Sequence, residues 1–221
     1  MPTTRKICTI AIHQWPLLNR GEDPAKWSFQ NRMSNNLSHG STTLVRSTMH
    51  GTNHLRSDGF RYQATLPENL EAILNLERAP ENAPFIRQWS REQHAAAIQD
   101  PTVSHLTIFE EASLQMMGYI ILIGINSRDQ NLEFKRIVIA QKGKGIGRKA
   151  VKIVKQLAFE KYGIHRLWLE VMRNNNRARK LYKSEGFQEE GIHRESLKVE
   201  NSFVDLLVMS MLEQEYSIEY T

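Results

Sequence analysis

The run KGKGIG at residues 142–147 directly follows the apolar stretch RIVIA (136–140). Amides at a helix N-terminus lack intrahelical partners and carry the positive end of the helix dipole, so a strand, a glycine turn and a helix start together make an anion site. Glycine there permits left-handed dihedrals and a close approach to the backbone. Lys142, Lys144, Arg148 and Lys149 add charge suited to several phosphates. The alternative is a glycine-rich turn beside a solvated basic face. Farther on, Ala178, Leu181 and Tyr182 share one helical face, and from spacing alone Tyr182 serves equally as a packing aromatic or a proton donor. Asn175 sits where a helix cap is needed.

Two familiar phosphate loops compete for this stretch. A P-loop requires Ser or Thr after Gly-Lys, but Gly145 follows Lys144. The dinucleotide fingerprint G-x-G-x-x-A is met by Gly145, Gly147 and Ala150, with Glu170 closing the next strand. Only about fifty residues follow Glu170, and they read as helix, strand and strand rather than further βαβ units, so NAD(P) binding is a distant alternative. Neither an H-E-x-x-H pair nor a G-x-S-x-G elbow occurs. Cys8 is the only cysteine, which excludes an internal disulfide or a thiolate cluster. No metal is expected.

The elements that must position these residues begin at Phe60. FRYQATL (60–66) reads as a strand and residues 67–78 as a helix, with Leu70, Ile73, Leu74 and Glu77 at helical spacing. Residues 82–89 read as a short second helix. Ser90 with Gln93 is a capping box opening a helix that ends before Pro101. Strands at 105–110, 116–125 and 131–140 follow, the first two as a hairpin. A helix spans about 145–162, with a buried stripe from Ile146 to Ala158 and with Arg148, Lys152 and Lys155 on another side. Then come a strand at 164–172, a short helix stopped by Gly186, and strands near 187–196 and 202–212. Residues 31–59 are rich in Ser, Thr, Asn, Gly and His and carry little periodicity. The expected organisation is a low-order extension over 1–58, one mixed α/β domain over 59–215 and a tail over 216–221.

With these elements in order, KGKGIG resembles the coenzyme A pyrophosphate loop, Q/R-x-x-G-x-G/A, of the GNAT N-acetyltransferase superfamily. Lys142 stands where Gln or Arg is usual. NNRARKLYKSEGF (175–187) is similar to that family's N-x-x-A-x-x-L-Y-x-x-x-G-F segment, matching at Asn175, Ala178, Leu181, Tyr182, Gly186 and Phe187. The flavour is that of the RimJ/RimL-like, ribosomal-protein-alanine branch. The resemblance implies the acyl-CoA N-acyltransferase fold: a central, mostly antiparallel sheet with a V-shaped splay between two parallel strands, here 131–140 and 164–172.

The resemblance further implies an acetyl-CoA-dependent transfer to a primary amine by direct attack in a ternary complex. The acceptor would be a peptide N-terminus, a polyamine or an amino acid. Backbone groups of Ile137, Val138 and Ile139 would meet the pantetheine arm, and Asn175 would contact it from the other side. Amides of Gly143, Lys144, Gly145, Ile146, Gly147 and Arg148 would receive the pyrophosphate. Tyr182 would be the general acid, since a phenol near 10 can protonate a thiolate near 8.5. Glu133 is the first candidate base, in step with Ile137 and Ile139 unless a bulge intervenes; Glu170 and His94 are weaker ones. Residues 67–100, including Glu77, Arg78, Phe85, Trp89 and Glu92, and the loop around 197–202 would shape the acceptor site. A non-catalytic CoA-binding or sensor module is the competing reading.

The 221-residue chain carries a net charge of +5, which favours anionic partners by long-range attraction. Its basic residues form no aromatic-interleaved patch, so no specific nucleic acid is expected. The lack of a long apolar run argues against a membrane partner, and a cytoplasmic location is expected. Oligomeric state is not legible; a homodimer is the assembly to test for.

Overall fold

The structure, a computed structural model, describes residues 54–199 and 201–218. Most of the low-order extension expected over 1–58 lies outside the described residues. Strand β1 (His54–Ser57) stands just before the expected domain start and pairs with β2 (Phe60–Ala64). Strands β3 (Val103–Glu110), β4 (Met116–Ile123), β5 (Asn131–Ile139), β6 (Arg166–Met172), β7 (Gln188–Val199) and β8 (Ser202–Leu212) complete one sheet. Its order is β1-β2-β3-β4-β5-β6-β8-β7, antiparallel throughout except for the β5–β6 pair. The expected mixed sheet with two parallel strands is therefore present. After β6 the chain returns through the antiparallel hairpin β7–β8, which a doubly wound dinucleotide fold would not do.

Helices cover both faces. On one lie α1 (Leu70–Arg78) and α2 (Arg91–Gln99). Leu70 and Ile73 of α1 pack with Tyr119, Ile121 and Val138 of the sheet. The Ser90–Gln93 capping box forms as the sequence indicates, with Ser90 Oγ accepting from the Gln93 amide. On the other face, α3 (Ile146–Gln156) lays Ile146, Ala150, Ile153 and Val154 into the larger core with Phe134, Leu167 and Leu169. A π turn, Leu157–Lys161, continues α3. Tyr182 of α4 (Asn176–Ser184) joins the same core, as does Tyr216 of α5 (Glu213–Ile218), stacked on Phe159 at 4.9 Å.

Two sequence expectations are corrected. Residues 82–89 form no α-helix: only a 3-10 turn, Ala83–Phe85, is present and the chain is extended from Ile86. Lys155 does not lie on a solvated side of α3. It is 2% exposed, one turn from the buried Val151, and its ammonium donates to the Glu185 carbonyl at 3.0 Å and faces the Glu185 carboxylate.

Candidate active site

Strands β5 and β6 pair only at Asn131–Glu133 with Arg166–Trp168, and beyond that they diverge. Past Glu133, no strand among the described residues takes the free edge of β5, so a row of its backbone groups faces the gap. The gap is a cleft of about 1230 Å³ running from the Glu133 vertex to the glycine loop. At about 3.3 Å per residue, Glu133 to Ile139 spans roughly 20 Å. Ile137 and Ile139 form one wall; Val171, Met172 and the start of α4 form the other.

The open end is built for an anion. Gly143 and Gly145 have φ of 80° and 75°, left-handed values that admit glycine at little cost, and Gly145 caps α3 without a side-chain partner. A Cβ on either glycine would meet nothing within 4 Å, so it is conformation, not crowding by protein, that demands glycine there. The first carbonyl reached inside α3 is that of Gly145, taken by the Lys149 amide, which leaves the amides of Ile146, Gly147 and Arg148 without helical acceptors. Arg148 turns its guanidinium to Glu185 at 2.5 Å and Ser184 at 3.0 Å, tying the loop to the end of α4. Lys142 donates to Asn82 Oδ1. Its burial, then the nearby Arg177 charge, lowers its pKa to about 8.

Across the cleft, Asn175 caps α4 by accepting from the Ala178 amide at 3.2 Å, and its side chain also lines the cleft. Tyr182 lines it too, with its ring packed against Phe134 and Phe187 at centroid distances of 6.0 and 5.8 Å. Burial pushes the phenol above its ordinary value, so it stays protonated. Of the expected cofactor residues, Ile137, Ile139, Gly143, Gly145, Ile146, Gly147, Arg148 and Asn175 share this cleft. The other two do not line it: Val138 is buried toward α1 and Lys144 is exposed outside the wall.

At the vertex two carboxylates, Glu133 and Glu170, join the lining beside Lys135 and Arg136. Glu133 lines the cleft, but not in the register expected for it. Lys135 is an extra residue between the pairs Leu122–Phe134 and Ile121–Arg136, and this bulge flips the alternation. Glu133 therefore shares the face of Arg136 and Val138 rather than that of Ile137 and Ile139. Its carboxylate accepts from Lys135 at 2.9 Å. Glu170, on β6 just past the last parallel pair, also lines the cleft and meets His193 Nδ1 at 2.8 Å. His94, the other candidate base, is fully buried and away from the cleft wall.

The remaining walls come from two irregular segments. Phe85 and Trp89 line the cleft within residues 85–90, whereas Glu77 is buried behind them and Arg78 and Glu92 are not part of the wall. On the other side β7 bulges at residues 194–196, opposite Asp205, and brings Ser196 and Leu197 to the cleft. The bulge is pinned where the Glu195 amide donates to Asp205 Oδ1 at 2.9 Å and Arg173 pairs with Oδ2 at 3.0 Å. Sequence reasoning missed this bulge, Arg136 and Asn82; the positive φ of Glu195 leaves no signature in residue type.

A family model described as the acetyltransferase (GNAT) family matches residues 70–187, from α1 through the cleft to the end of α4. The chain belongs to that family. No curated protein matches it in sequence. Among solved structures it is similar to the spermidine N-acetyltransferase of Vibrio cholerae in complex with CoA and spermine, at 25% identity and a TM-score of 0.65, over 72% of this chain and 98% of that one. A point mutant of the spermidine N-acetyltransferase SpeG from the same organism matches at 26% identity and 0.64, over 72% and 99%. A chimera of that enzyme with hSSAT matches at 25% and 0.66, over 72% and 99%.

This GNAT protein is an acetyl-CoA-dependent N-acetyltransferase that transfers to an amine. The readings as a non-catalytic CoA holder or an NAD(P) protein give way. Among the described residues no group of His, Cys, Asp or Glu gathers to hold a metal, and no helix is long and apolar enough to cross a membrane.

Proposed function

We propose that the cleft binds acetyl-CoA with its pyrophosphate on the free amides of Gly143–Arg148, Lys144 included, and its pantetheine arm along Ile137–Ile139 and Asn175. The acceptor is a polyamine entering at the vertex. The observation that carries this reading is the pair of carboxylates, Glu133 and Glu170, on the two diverging strands, opposite in sign to the basic loop. Likeness to polyamine acetyltransferases supports it. A chain of ammonium groups is attracted to such an end, while Lys142, Arg148 and Arg177 attract phosphates at the other.

The chain's residues then act as follows. The free edge of β5 orients the thioester carbonyl for attack by the amine nitrogen. The C–N bond forms, the C–S bond breaks, and the sulfur takes the Tyr182 proton. An ammonium acceptor first gives one proton to Glu133, directly or through water, and the second, released from nitrogen as the amide forms, returns to Tyr182. An amine near 10.4 loses about 4–5 kcal/mol to deprotonation at neutral pH, so a nearby anion matters most for this acceptor class.

A second reading keeps the ribosomal-protein-alanine branch. Glu133 is already paired with Lys135, which suits an α-amine near 7.7 that needs little help, costing about 1 kcal/mol. CoA release measured with spermidine, spermine and alanine-terminated peptides separates the two. Turnover of peptides alone overturns the polyamine assignment. Glu133→Gln together with Glu170→Gln should raise the polyamine KM by about tenfold or more while leaving acetyl-CoA binding intact.

A further inference from the structure

Behind the acceptor end lies a buried polar network that the transfer chemistry does not use. Glu77 on α1, His94 on α2, His105 and Thr65 are each at most 5% exposed. Thr65 Oγ1 meets His105 Nδ1 at 2.8 Å and His105 Nε2 meets His94 Nδ1 at 3.0 Å. His94 Nε2 stands 3.2 Å from Glu77 Oε1, off the line of a good hydrogen bond. One directional assignment serves every ring nitrogen: the Thr65 hydroxyl donates to His105, His105 to His94, and His94 presents its N–H to Glu77.

At its inner end the chain holds one carboxylate, and that carboxylate reaches the cleft wall twice. Glu77 Oε2 accepts from the Trp89 amide at 3.0 Å. Glu77 Oε1 accepts from Tyr119 and from Arg136 Nη1, the latter at 2.5 Å. The same guanidinium donates through Nη2 to the Arg87 carbonyl at 2.6 Å and lies 4.6 Å from the centre of the Trp89 ring. Burial alone would push the Glu77 carboxyl up. The contacts from His94, Tyr119, Arg136 and Trp89 outweigh it and hold the group at about 2. It is therefore a permanent anion, and Arg136 is its counter-ion.

These bonds account for the shape of residues 85–90. The segment has helix-compatible spacing, yet past Phe85 it forms no helix, because the backbone at 87 and 89 is bound to Arg136 and Glu77 instead of to its own turns. We infer that Glu77 and Arg136 form a clamp that fixes residues 87–89 as the acceptor wall, making both positioning residues for the amine. The inference rests on the acetyl-transfer reading above. It adds that amine affinity is set from the α1–β5 core, by a charge pair of which Glu77 is buried and Arg136 reaches the cleft wall.

The test uses Arg136→Lys, which keeps the cation but cannot bridge both partners in a fixed fork, and Glu77→Leu combined with Arg136→Met. The double variant removes both charges at once, so no unpaired buried charge is left to prevent folding. Steady-state kinetics should show the amine KM raised about tenfold or more, with kcat and the acetyl-CoA KM within about threefold. Limited trypsin digestion reads the clamp independently of substrate: cleavage after the exposed Arg87 should accelerate while other sites are unchanged. Faster cleavage with an unchanged amine KM overturns the inference, and so does an equal loss in both KM values and kcat. A wild-type chain inert toward every amine fails before any variant is made; it overturns the transfer reading, and the clamp's role with it.

Discussion

Removing one oxygen from Tyr182 separates its chemistry from its packing. The ring lies against Phe134 and Phe187, and phenylalanine at 182 preserves both contacts. Burial raises the phenol's pKa, so it carries its proton at any ordinary assay pH. A thiolate expelled into the same apolar pocket is raised by the same cause. The gap that counts is then that between ordinary values near 10 and near 8.5, about 2 kcal/mol uphill. In the proposed mechanism the hydroxyl would thus give a hydrogen bond as charge builds on sulfur and surrender its proton only as the C–S bond parts.

General acid catalysis of this kind is worth roughly 10²–10⁴-fold, or about 2.7–5.4 kcal/mol of barrier. Tyr182→Phe should lower kcat by about a hundredfold or more while stability changes by less than about 1 kcal/mol. Thermal stabilisation by acetyl-CoA should match wild type, because nothing removed touches the glycine loop. The assay is CoA release under saturating substrates, run beside a thermal shift with acetyl-CoA. A kcat within about threefold of wild type refutes the assignment of the acid. Tyr182→Ala is no substitute, since the cavity alone costs on the order of 3–5 kcal/mol.

Gly145→Ala must hold a left-handed residue at a cost of roughly 1–2 kcal/mol; titration calorimetry should show acetyl-CoA binding weakened about tenfold, and an unchanged affinity refutes the role of the turn. Lys142 titrates at about 8 in the free protein, and a bound phosphate raises that value. Affinity for acetyl-CoA should therefore be full below pH 8 and fall above it by up to about tenfold per pH unit, a dependence that Lys142→Met abolishes. His105 is held neutral, down to about 3, by burial and then by its neighbours His94 and Arg136, and Glu77 is held at about 2. Both take up more protons unfolded than folded as acidity increases, so stability is full above about pH 6.5. It is lost by up to about 1.4 kcal/mol per unit for each group as pH falls, first through His105 and below about 4.5 through Glu77 as well. A urea midpoint that stays flat from about pH 7 to about pH 5 refutes this.

The elements that position the cofactor were legible because their signals are local. A capping serine three residues before Gln93, glycines ahead of Ile146, and an asparagine three before Ala178 each act within one helical turn. The parallel pairing of β5 with β6 could also be expected, though only through the family resemblance. What local pattern could not supply was the single extra residue at Lys135, since a bulge depends on how two strands pair rather than on either alone. That one residue decides which face Glu133 occupies, and so moves the leading candidate base to the face shared by Arg136.

The same limit explains why residues 82–89 looked helical. Phe85, Ile86 and Trp89 have the spacing of a short amphipathic turn, and a helix would have satisfied their backbone. The competing partners come from 12 and 49 positions away in sequence, too far for any window to find. Glu77 falls at helical spacing with α1's apolar residues, and Arg136 opens the apolar run RIVIA of β5. Each is costly to bury alone, and together they offset much of that cost. A glutamate at a stripe's core-facing position and an arginine inside an apolar strand are thus two halves of one signal. Either half, met in sequence, asks where its buried partner lies, and here the two meet behind residues 87–89.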